Sequence, residues 1–315
     1  MAGGHAVGVR IGYAEAPQCV RDWVDLSLGA TVEQVVDCVG GMSPGPAARV
    51  RSARGVSGFV KACGAGLNPK TPGLLRDEAR VLAALPIHAG LPRLLDVYDD
   101  GDWVALLIED LPGSPPAAPW SRADLARVGA LLLELRPVLD GVRLDGVARA
   151  VDSAPLLLTA WRTLGSRLDL VDTWWRDHHD ALAWHAARAG DLIAGDSLLH
   201  WDIRADNVVL TPDRTVLVDW GQVRRGARWM DHALLALDCS MTGAEPSTAE
   251  VAALDPVLRD RDPADLLAIA AAAAMAFVAR STEPAPQGLP TLPATSARWA
   301  GALQPYLAST LLRLR

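Results

Sequence analysis

One short polar segment limits the folds open to this chain more than any other part of its sequence. The segment HWDIRADN places His200, Asp202, Arg204 and Asn207 within eight positions, and apolar residues flank it on both sides. The residues that follow, VVL-TPDR-TVLVD, predict a β-hairpin that ends at Asp219. A polar loop followed by such a hairpin, set between helical segments, is typical of a two-lobe protein whose ligand lies in the cleft.

Composition indicates an ordinary globular protein with a sizeable core. The chain has 315 residues and half of them are apolar, which is enough for two medium lobes or one large domain. Its net charge of -7 disfavours a general nucleic-acid binder and suits a neutral or cationic ligand. The four cysteines show no metal-ligand spacing, so we expect a cytoplasmic protein without a disulfide framework.

No segment of the sequence is typical of a secretory signal or a membrane span. The N-terminal residues lack a basic start followed by an apolar stretch. The longest apolar run, residues 266–279, ends at Arg280 and is too short to cross a bilayer. We therefore interpret this run as a buried helix and expect no membrane partner. Both a monomer and a homodimer are compatible with these features.

The hydrophobic pattern changes about a third of the way along the chain. Strand-like segments occur at 32–39, in ARVRSA and at 58–63, followed by a helical pattern in PGLLRDEARVLAAL and a hairpin pattern in PRLLDVYDDGDWVALLIED. After the Pro-rich connector at 112–119, long helical patterns dominate. The sequence thus predicts an α+β fold with a small N-terminal antiparallel sheet lobe, residues 1–110, and a larger, mostly helical C-terminal lobe, residues 111–315.

Two segments carry a resemblance to a known superfamily. H-x-D-x-x-x-x-N followed by D-x-G matches the catalytic and metal-binding segments of the protein-kinase-like fold. From GGMSPG to WMDHALLALD the chain resembles the aminoglycoside phosphotransferase and choline kinase superfamily, in particular its actinobacterial members. The resemblance implies a bilobal protein-kinase-like fold with a nucleotide-binding N-terminal lobe and a catalytic, acceptor-binding C-terminal lobe. It also implies that ATP, or GTP in its place, and Mg²⁺ are the cofactors.

The chemistry of phosphoryl transfer explains the spacing in these two segments. The reaction needs an oriented hydroxyl group and neutralised phosphate charge, with little covalent work for the protein. Asp202 is expected to accept the hydroxyl proton, while Asn207 and Asp219 offer oxygen ligands to Mg²⁺. Taken singly, Asn207 could merely shape a turn and Asp219 could cap the next segment. Their combination favours the catalytic interpretation. His200 either is a structural histidine that orients the loop backbone, which is the favoured interpretation, or transfers a proton.

Lysine is rare in this chain, which makes each lysine informative. Only Lys61 and Lys70 are lysines among the thirty basic residues, which favours a role for a strand lysine that arginine cannot fill. By the resemblance, Lys61 holds the α and β phosphates, and Glu78, seventeen residues later on the predicted helix, is its carboxylate partner. The alternatives are an exposed strand lysine and a solvated helix glutamate.

The turn-rich segment GGMSPG is the candidate phosphate loop. It places Gly40, Gly41, Ser43 and Gly45 where backbone amides could approach the nucleotide phosphates. Its spacing departs from the G-x-G-x-x-G pattern of protein kinases, so an ordinary hairpin turn is the alternative.

Four further positions acquire roles from the resemblance. The carbonyl of Glu109 and the amide of Leu111, at the start of the connector, would hydrogen-bond adenine. Arg204 lies two residues after Asp202, where it either neutralises charge near the γ-phosphate or is a surface loop arginine. Asp231 is either a helix N-cap or a buried anchor for the catalytic loop.

The sequence therefore predicts an ATP-dependent kinase that phosphorylates a hydroxyl group of a small molecule. An aminoglycoside or another hydroxylated antibiotic is the first choice of acceptor, and a choline-like amino alcohol or a sugar is the second. A nucleotide-binding pseudokinase is the alternative from another class. Only eleven residues separate Asp219 from Asp231, which leaves little platform for a polypeptide acceptor.

Overall fold

The N-terminal lobe is one antiparallel sheet with a helix on each face. The computed structural model of the protein describes residues 10–38, 41–243, 247–286 and 288–314. The strands follow the order β1-β2-β3-β5-β4. Their bounds, with those of the two helices, are α1 (Gln18–Ser27), β1 (Val32–Asp37), β2 (Ala47–Ser52), β3 (Ser57–Gly64), α2 (Thr71–Ala84), β4 (Leu94–Asp99) and β5 (Trp103–Ile108).

Strand β3 lies at the centre of this sheet and fixes the position of Lys61. In the register, Lys61 is opposite Ala47 of β2 and Leu106 of β5. Successive side chains of a strand point to opposite faces, so Lys61 and Val60 face different layers. Val60 packs in a cluster with α1, whereas the Lys61 face carries Leu106, which packs against α2.

Helix α2 places a carboxylate within its buried face. Pro72 lies in its first turn, where a missing amide hydrogen costs nothing. Leu75, Val81 and Leu82 are buried at helical spacing, and Glu78 is buried among them at 2% exposure. The apolar stripe thus holds Glu78 toward β3.

The C-terminal lobe is mostly helical. Its elements are α3 (Arg122–Asp140), α4 (Ala150–Ser153), α5 (Pro155–Leu164), α6 (Thr173–Ala186), α7 (Ala189–Ile193), β6 (Ser197–Leu199), β7 (Val208–Leu210), β8 (Thr215–Leu217), β9 (Arg224–Gly226), α8 (Met230–Met241), α9 (Thr248–Leu254), α10 (Pro263–Ser281) and α11 (Leu292–Arg313). Strands β7 and β8 form the predicted hairpin, and β9 pairs with β6.

The apolar run predicted to form a buried helix is α10, and that prediction is confirmed. The expectation that it is too short to cross a bilayer is wrong, because the run is part of a helix of 19 residues. Within the part of the chain that the structure describes, α10 is long and apolar enough to cross, but 67% of its most apolar window is buried inside the protein. It packs against α11, α5 and α6.

A single hydrophobic cluster extends across both lobes. It joins Leu106 of β5, Trp120 just after the connector, Leu217 of β8 and the interior of α8 and α10. The predicted α+β architecture, with a sheet lobe before a helical lobe, is confirmed. The boundary between residues 110 and 111 stays a prediction.

Candidate active site

The loop between β6 and β7 is shaped from inside by a fully buried histidine. His200 has 0% exposure, and its Nε2 lies 2.9 Å from the carbonyl oxygen of Val218. Its Nδ1 accepts a hydrogen bond from the backbone amide of Asp202 at 3.3 Å. The ring also packs edge-on against Trp220. His200 therefore orients the loop backbone, as expected.

Asp231 anchors the start of the same loop. Its two carboxylate oxygens accept from the amides of His200 and Trp201, both at 3.0 Å. Trp201 has a φ of 67°, a left-handed conformation that L-residues with side chains adopt at a cost of order 1–3 kcal/mol. The N-cap alternative is wrong, because Asp231 lies in the first turn of α8 and the N-cap position is Trp229.

Asp202 and Asn207 are brought into direct contact by the loop. The Nδ2 group of Asn207 donates to the backbone oxygen of Asp202 at 2.8 Å and to its carboxylate Oδ2 at 2.9 Å. Asn207 is buried, whereas the Asp202 side chain retains 24% exposure. One carboxylate oxygen is thus fixed by an amide while the group stays open to the cleft.

Arg204 is not a surface loop arginine, so that alternative is wrong. Its guanidinium has 14% exposure and pairs in a bidentate way with Asp206, both contacts at 3.0 Å. Its Nη1 also lies 3.5 Å from Asp202 Oδ1. Burial alone would lower the pKa of Arg204, but the charges of Asp202 and Asp206 outweigh it and raise that pKa. The arginine sits within the loop as a fixed positive charge beside Asp202.

Lys61 bridges two carboxylates that come from different lobes. Its Nζ lies 2.8 Å and 3.0 Å from the two oxygens of Glu78 and 3.0 Å from Oδ1 of Asp219. The predicted pair of Lys61 and Glu78 is present. Asp219 has a φ of 68°, and this left-handed residue turns the chain at the end of the hairpin.

The pKa shifts in this trio follow from burial and mutual charge. Burial would lower the pKa of Lys61, but the carboxylates of Asp219 and Glu78 reverse the effect and raise it. Burial opposes ionisation of Asp219, yet the adjacent ammonium outweighs burial, so the pKa of Asp219 is lowered. Burial dominates for Glu78, whose pKa is raised. The trio is a charged network that holds Lys61 ionised between the lobes.

The hairpin brings the two predicted metal ligands to the same end of its two strands. The amide of Val218 donates to the carbonyl of Asn207 at 2.8 Å, and Asp219 is the next residue along the chain after Val218. Among the residues that the structure describes, no group of three His, Cys, Asp or Glu side chains forms a metal cage. A carboxylate with an amide oxygen fits Mg²⁺, which is commonly held by one or two protein ligands together with substrate phosphates.

The connector is docked on the same hairpin. Ser114 and Leu210 exchange two backbone hydrogen bonds of 3.2 Å and 2.8 Å, and the Glu109 carboxylate pairs with Arg214. Within the described residues, the carbonyl of Glu109 and the amide of Leu111 make no backbone hydrogen bond. The binding of adenine by these two groups stays a prediction.

The segment GGMSPG has glycines whose roles in the fold differ from the predicted approach to phosphates. Gly40 lies outside the described residues, and Gly41 has a φ of 75°. The amide of Gly45 donates to Ser43 Oγ at 3.4 Å. A side chain at Gly45 would overlap the carbonyl oxygen of Ala62, so packing against β3 explains this glycine. The contact of Gly41, Ser43 and Gly45 with phosphates stays a prediction.

Sequence reasoning missed one arginine at this loop. The amide of Ile11 donates to the carbonyl of Pro44 at 3.0 Å, which pins the N-terminal segment to GGMSPG. A Cβ atom at Gly41 would lie 2.8 Å from Nη2 of Arg10. Burial lowers the pKa of Arg10, and the charge of Asp219 is among those that oppose the shift. No motif surrounds Arg10, so only the folded arrangement reveals it.

The chain is similar to a known protein family and to several solved structures. A model of the phosphotransferase enzyme family APH matches residues 65–267. No curated protein sequence matches the chain.

Several solved structures share the fold at low identity. Amicoumacin kinase hAmiN in complex with AMP-PNP, Ca²⁺ and Ami has a TM-score of 0.60 and 13% identity, covering 93% of this chain and 94% of that one. A thermostable mutant of aminoglycoside phosphotransferase APH(4)-Ia with ADP and hygromycin B has a TM-score of 0.57 and 14% identity, covering 93% and 99%. A choline/ethanolamine kinase family protein from Mesorhizobium loti has a TM-score of 0.58 and 14% identity, covering 93% and 98%. The predicted kinase-like fold is confirmed.

Proposed function

The chain belongs to the phosphotransferase enzyme family APH, and on that premise we propose that it transfers the γ-phosphate of ATP to a hydroxyl group of a small molecule. GTP is the alternative donor. The observation that carries the proposal is the ion-pair network of Lys61, Glu78 and Asp219, which lies next to the contact of Asp202 with Asn207. Phosphoryl transfer is catalysed by positioning and by charge neutralisation, and this arrangement supplies both.

The donor side of the cleft uses Lys61 and the connector. Lys61 carries a positive charge on a central strand and binds the α and β phosphates, while Glu78 holds it in place. The backbone groups of Glu109 and Leu111 bind adenine. GGMSPG supplies backbone amides above the phosphates.

Asn207 and Asp219 are the residues that would hold Mg²⁺. Bound there, the ion would neutralise charge on the nucleotide phosphates. The lowered pKa of Asp219 keeps its carboxylate ionised and ready for this role.

Asp202 acts on the acceptor. Its carboxylate orients the hydroxyl group and takes its proton as the oxygen bonds to the γ-phosphorus and the bond to the leaving ADP oxygen breaks. Asn207 holds Oδ2 of this carboxylate, and Oδ1, which lies 3.5 Å from Nη1 of Arg204, is the oxygen that we assign to the acceptor hydroxyl. Arg204 contributes a positive charge beside the transferred group.

We propose a compact acceptor of the hydroxylated-antibiotic type, with an amino alcohol as the second candidate. The segment between Asp219 and Asp231 is occupied by a short helical turn, Trp220–Gln222, and by β9, which pairs with β6. No long platform for a peptide is left in these fully described residues. The negative net charge suits a cationic acceptor, and the fold neighbours include structures with hygromycin B and a choline/ethanolamine kinase family protein.

A coupled ADP-release assay tests the proposal. Aminoglycosides, other hydroxylated antibiotics, choline-like amino alcohols, sugars and generic protein substrates are compared, each with and without Mg²⁺. Asp202→Asn should lower turnover by about 10²–10⁴-fold, the range of general-base catalysis, and leave nucleotide affinity largely intact. Asp219→Ala should abolish Mg²⁺-dependent nucleotide binding in calorimetry, and Asn207→Ala should weaken it less.

The assay separates the alternatives. Turnover of protein substrates alone would contradict a small acceptor. Nucleotide binding without turnover on the whole panel would favour a pseudokinase. Near-normal turnover of Asp202→Asn would remove the base assignment even if the activity itself is found.

A further inference from the structure

Helix α8 carries two carboxylates that face the loop containing Asp202. Asp231 and Asp238 are seven residues apart, or about two helical turns and roughly 10.5 Å along the axis. Such a spacing puts both on one face of the helix. Asp231 meets the loop before Asp202, at the amides of His200 and Trp201.

Asp238 meets the loop after Asp202. Its Oδ2 accepts from the backbone amide of Ala205 at 3.0 Å and from the indole Nε1 of Trp120 at 2.8 Å. Asp238 has 0% exposure and Trp120 has 2%. Trp120 directly follows the connector and lies two residues before Arg122, the first residue of α3, so one oxygen ties the end of the connector to the loop.

A carboxylate at this place is costly unless it does specific work. Removing a charge from water carries a penalty of several kcal/mol, and aspartate is a poor residue for a helix interior. An apolar residue would fill the same space on α8 without that penalty. The two directed hydrogen bonds therefore point to a need for exact placement of Ala205 and its neighbours.

We propose that Asp238 is a positioning residue, which holds the loop on the far side of Asp202 so that the base keeps its distance from the acceptor hydroxyl. The loop is then fixed at two points, at Asp231 and at Asp238, with Asp202 between them. The bond to Trp120 sets the same loop relative to the connector. This role rests on the proposed kinase function, because it assigns Asp202 as the base.

The test compares two substitutions of equal shape. Asp238→Leu removes both acceptor oxygens, whereas Asp238→Asn keeps one oxygen that can accept from Ala205 and Trp120. We expect the leucine variant to lower kcat by about 10²-fold, the typical cost of a misplacement near 1 Å. Its KM for nucleotide and its affinity for AMP-PNP with Mg²⁺ should change by no more than about twofold, because the lost interaction acts on the chemical step. The asparagine variant should recover most of kcat.

Asp255 provides the matched control. It is also buried, bonds to His232 of α8 at 2.7 Å and accepts from two backbone amides, but its partners lie outside the loop. Asp255→Leu should lose stability without loss of kcat when assayed below its unfolding temperature. An equal loss of kcat in both leucine variants would overturn the proposal, because destabilisation alone would then explain it.

Hydrogen exchange of the Ala205 amide gives a readout that does not need an acceptor. Exchange should be slow in the unmodified protein, faster in Asp238→Leu than its loss of unfolding free energy explains, and faster in Asp255→Leu by no more than its loss of unfolding free energy explains. If the unmodified protein turns over none of the acceptors, the proposed function is contradicted. The exchange rate of the Ala205 amide would then be the measurement that tests whether Asp238 anchors the loop. Fast exchange of Ala205 in the unmodified protein would overturn the anchor, even if the leucine variant fails to fold.

Discussion

Lys61 shows how one side chain can serve two lobes. Its ammonium contacts Glu78 from α2 and Asp219 from the end of the hairpin, and its side chain keeps only 20% exposure. A compact ammonium on a flexible stem can point its donors at both carboxylates, whereas a planar guanidinium favours one bidentate partner. The two contacts therefore explain physically why a lysine, and not an arginine, occupies position 61 of a chain in which lysine is rare.

The first prediction at this scale is that Lys61→Arg impairs the protein although charge is conserved. The wider guanidinium cannot keep both contacts, so kcat/KM should fall by about 10²-fold, the loss typical of one misplaced donor to the reacting phosphate. Lys70→Arg is the matched control, because Lys70 is the other lysine and is exposed. Steady-state kinetics of both variants check this, and equal activity would contradict the role of Lys61.

The contacts of the site differ in how far the sequence anticipates them. Asp202, Asn207 and Asp219 follow from local spacing, and the pairing of Lys61 with Glu78 follows from the resemblance. The bond between Asp238 and Ala205 joins residues 33 positions apart without any local pattern. Contacts of this kind depend on how helices pack, which a single sequence does not display.

At the level of elements, periodicity was sufficient for most strands and helices. The continuous apolar run of β5 and the apolar stripe of α2 are local properties, so they are readable from short windows. The docking of the connector on the β7–β8 hairpin is different, because Ser114 and Leu210 are far apart in sequence. It depends on Gly113, whose missing side chain allows the carbonyl oxygen of Leu210 to approach.

Gly113→Ala should therefore separate the connector from the hairpin. The added methyl group would overlap Leu210, and we expect a loss of about 1–3 kcal/mol in unfolding free energy, as for other overpacked sites. Nucleotide affinity should also fall, because the backbone of Glu109 and Leu111 moves with the connector.

Gly129→Ala is the control for this effect. Gly129 lies within α3, and nothing is found within 4 Å of a Cβ placed there. Alanine in a helix interior is favoured over glycine by about 0.5–1 kcal/mol, so this variant should be neutral or more stable. Denaturant unfolding and calorimetry with AMP-PNP measure both variants. Unchanged affinity of Gly113→Ala would argue against adenine binding at the connector.

On the scale of the whole molecule, the shared core indicates that the lobes unfold together. The cluster that joins Leu106, Trp120 and Leu217 crosses from the sheet to the helices without a break. A buried hydrogen bond supplements it near the N-terminal end of α8, where the Asp255 carboxylate lies 2.7 Å from His232 Nδ1.

Acid should weaken this part of the molecule. Burial raises the pKa of Asp255, but its bonds to His232 and to two amides outweigh burial, so the folded-state pKa is lowered. A carboxylate with a lowered pKa stabilises the fold above its unfolded value near 3.9, and this stabilisation is lost as pH falls through the folded value. Asp255→Asn should thus be less stable than the unmodified protein at neutral pH.

The difference between the two proteins should shrink below about pH 4, where the unfolded-state carboxyl takes up its proton. Urea unfolding at several pH values measures it. A difference that stays constant down to the acid limit would show that ionisation of Asp255 does not contribute.

The contact of Lys61 with Asp219 also governs how a donor enters the cleft. In the protein alone, the ammonium and the carboxylate compensate each other at 3.0 Å. Under the proposed function, the Lys61 ammonium pairs with the nucleotide phosphates and the Asp219 carboxylate pairs with the cation. Binding therefore replaces the contact between these two residues with two new ionic contacts. A nucleotide by itself would leave the Asp219 carboxylate without a counter-charge in a partly desolvated site, which is costly, and a cation by itself would leave the ammonium with Glu78 alone. Nucleotide and cation should therefore enter as one preassembled complex, each raising the affinity for the other.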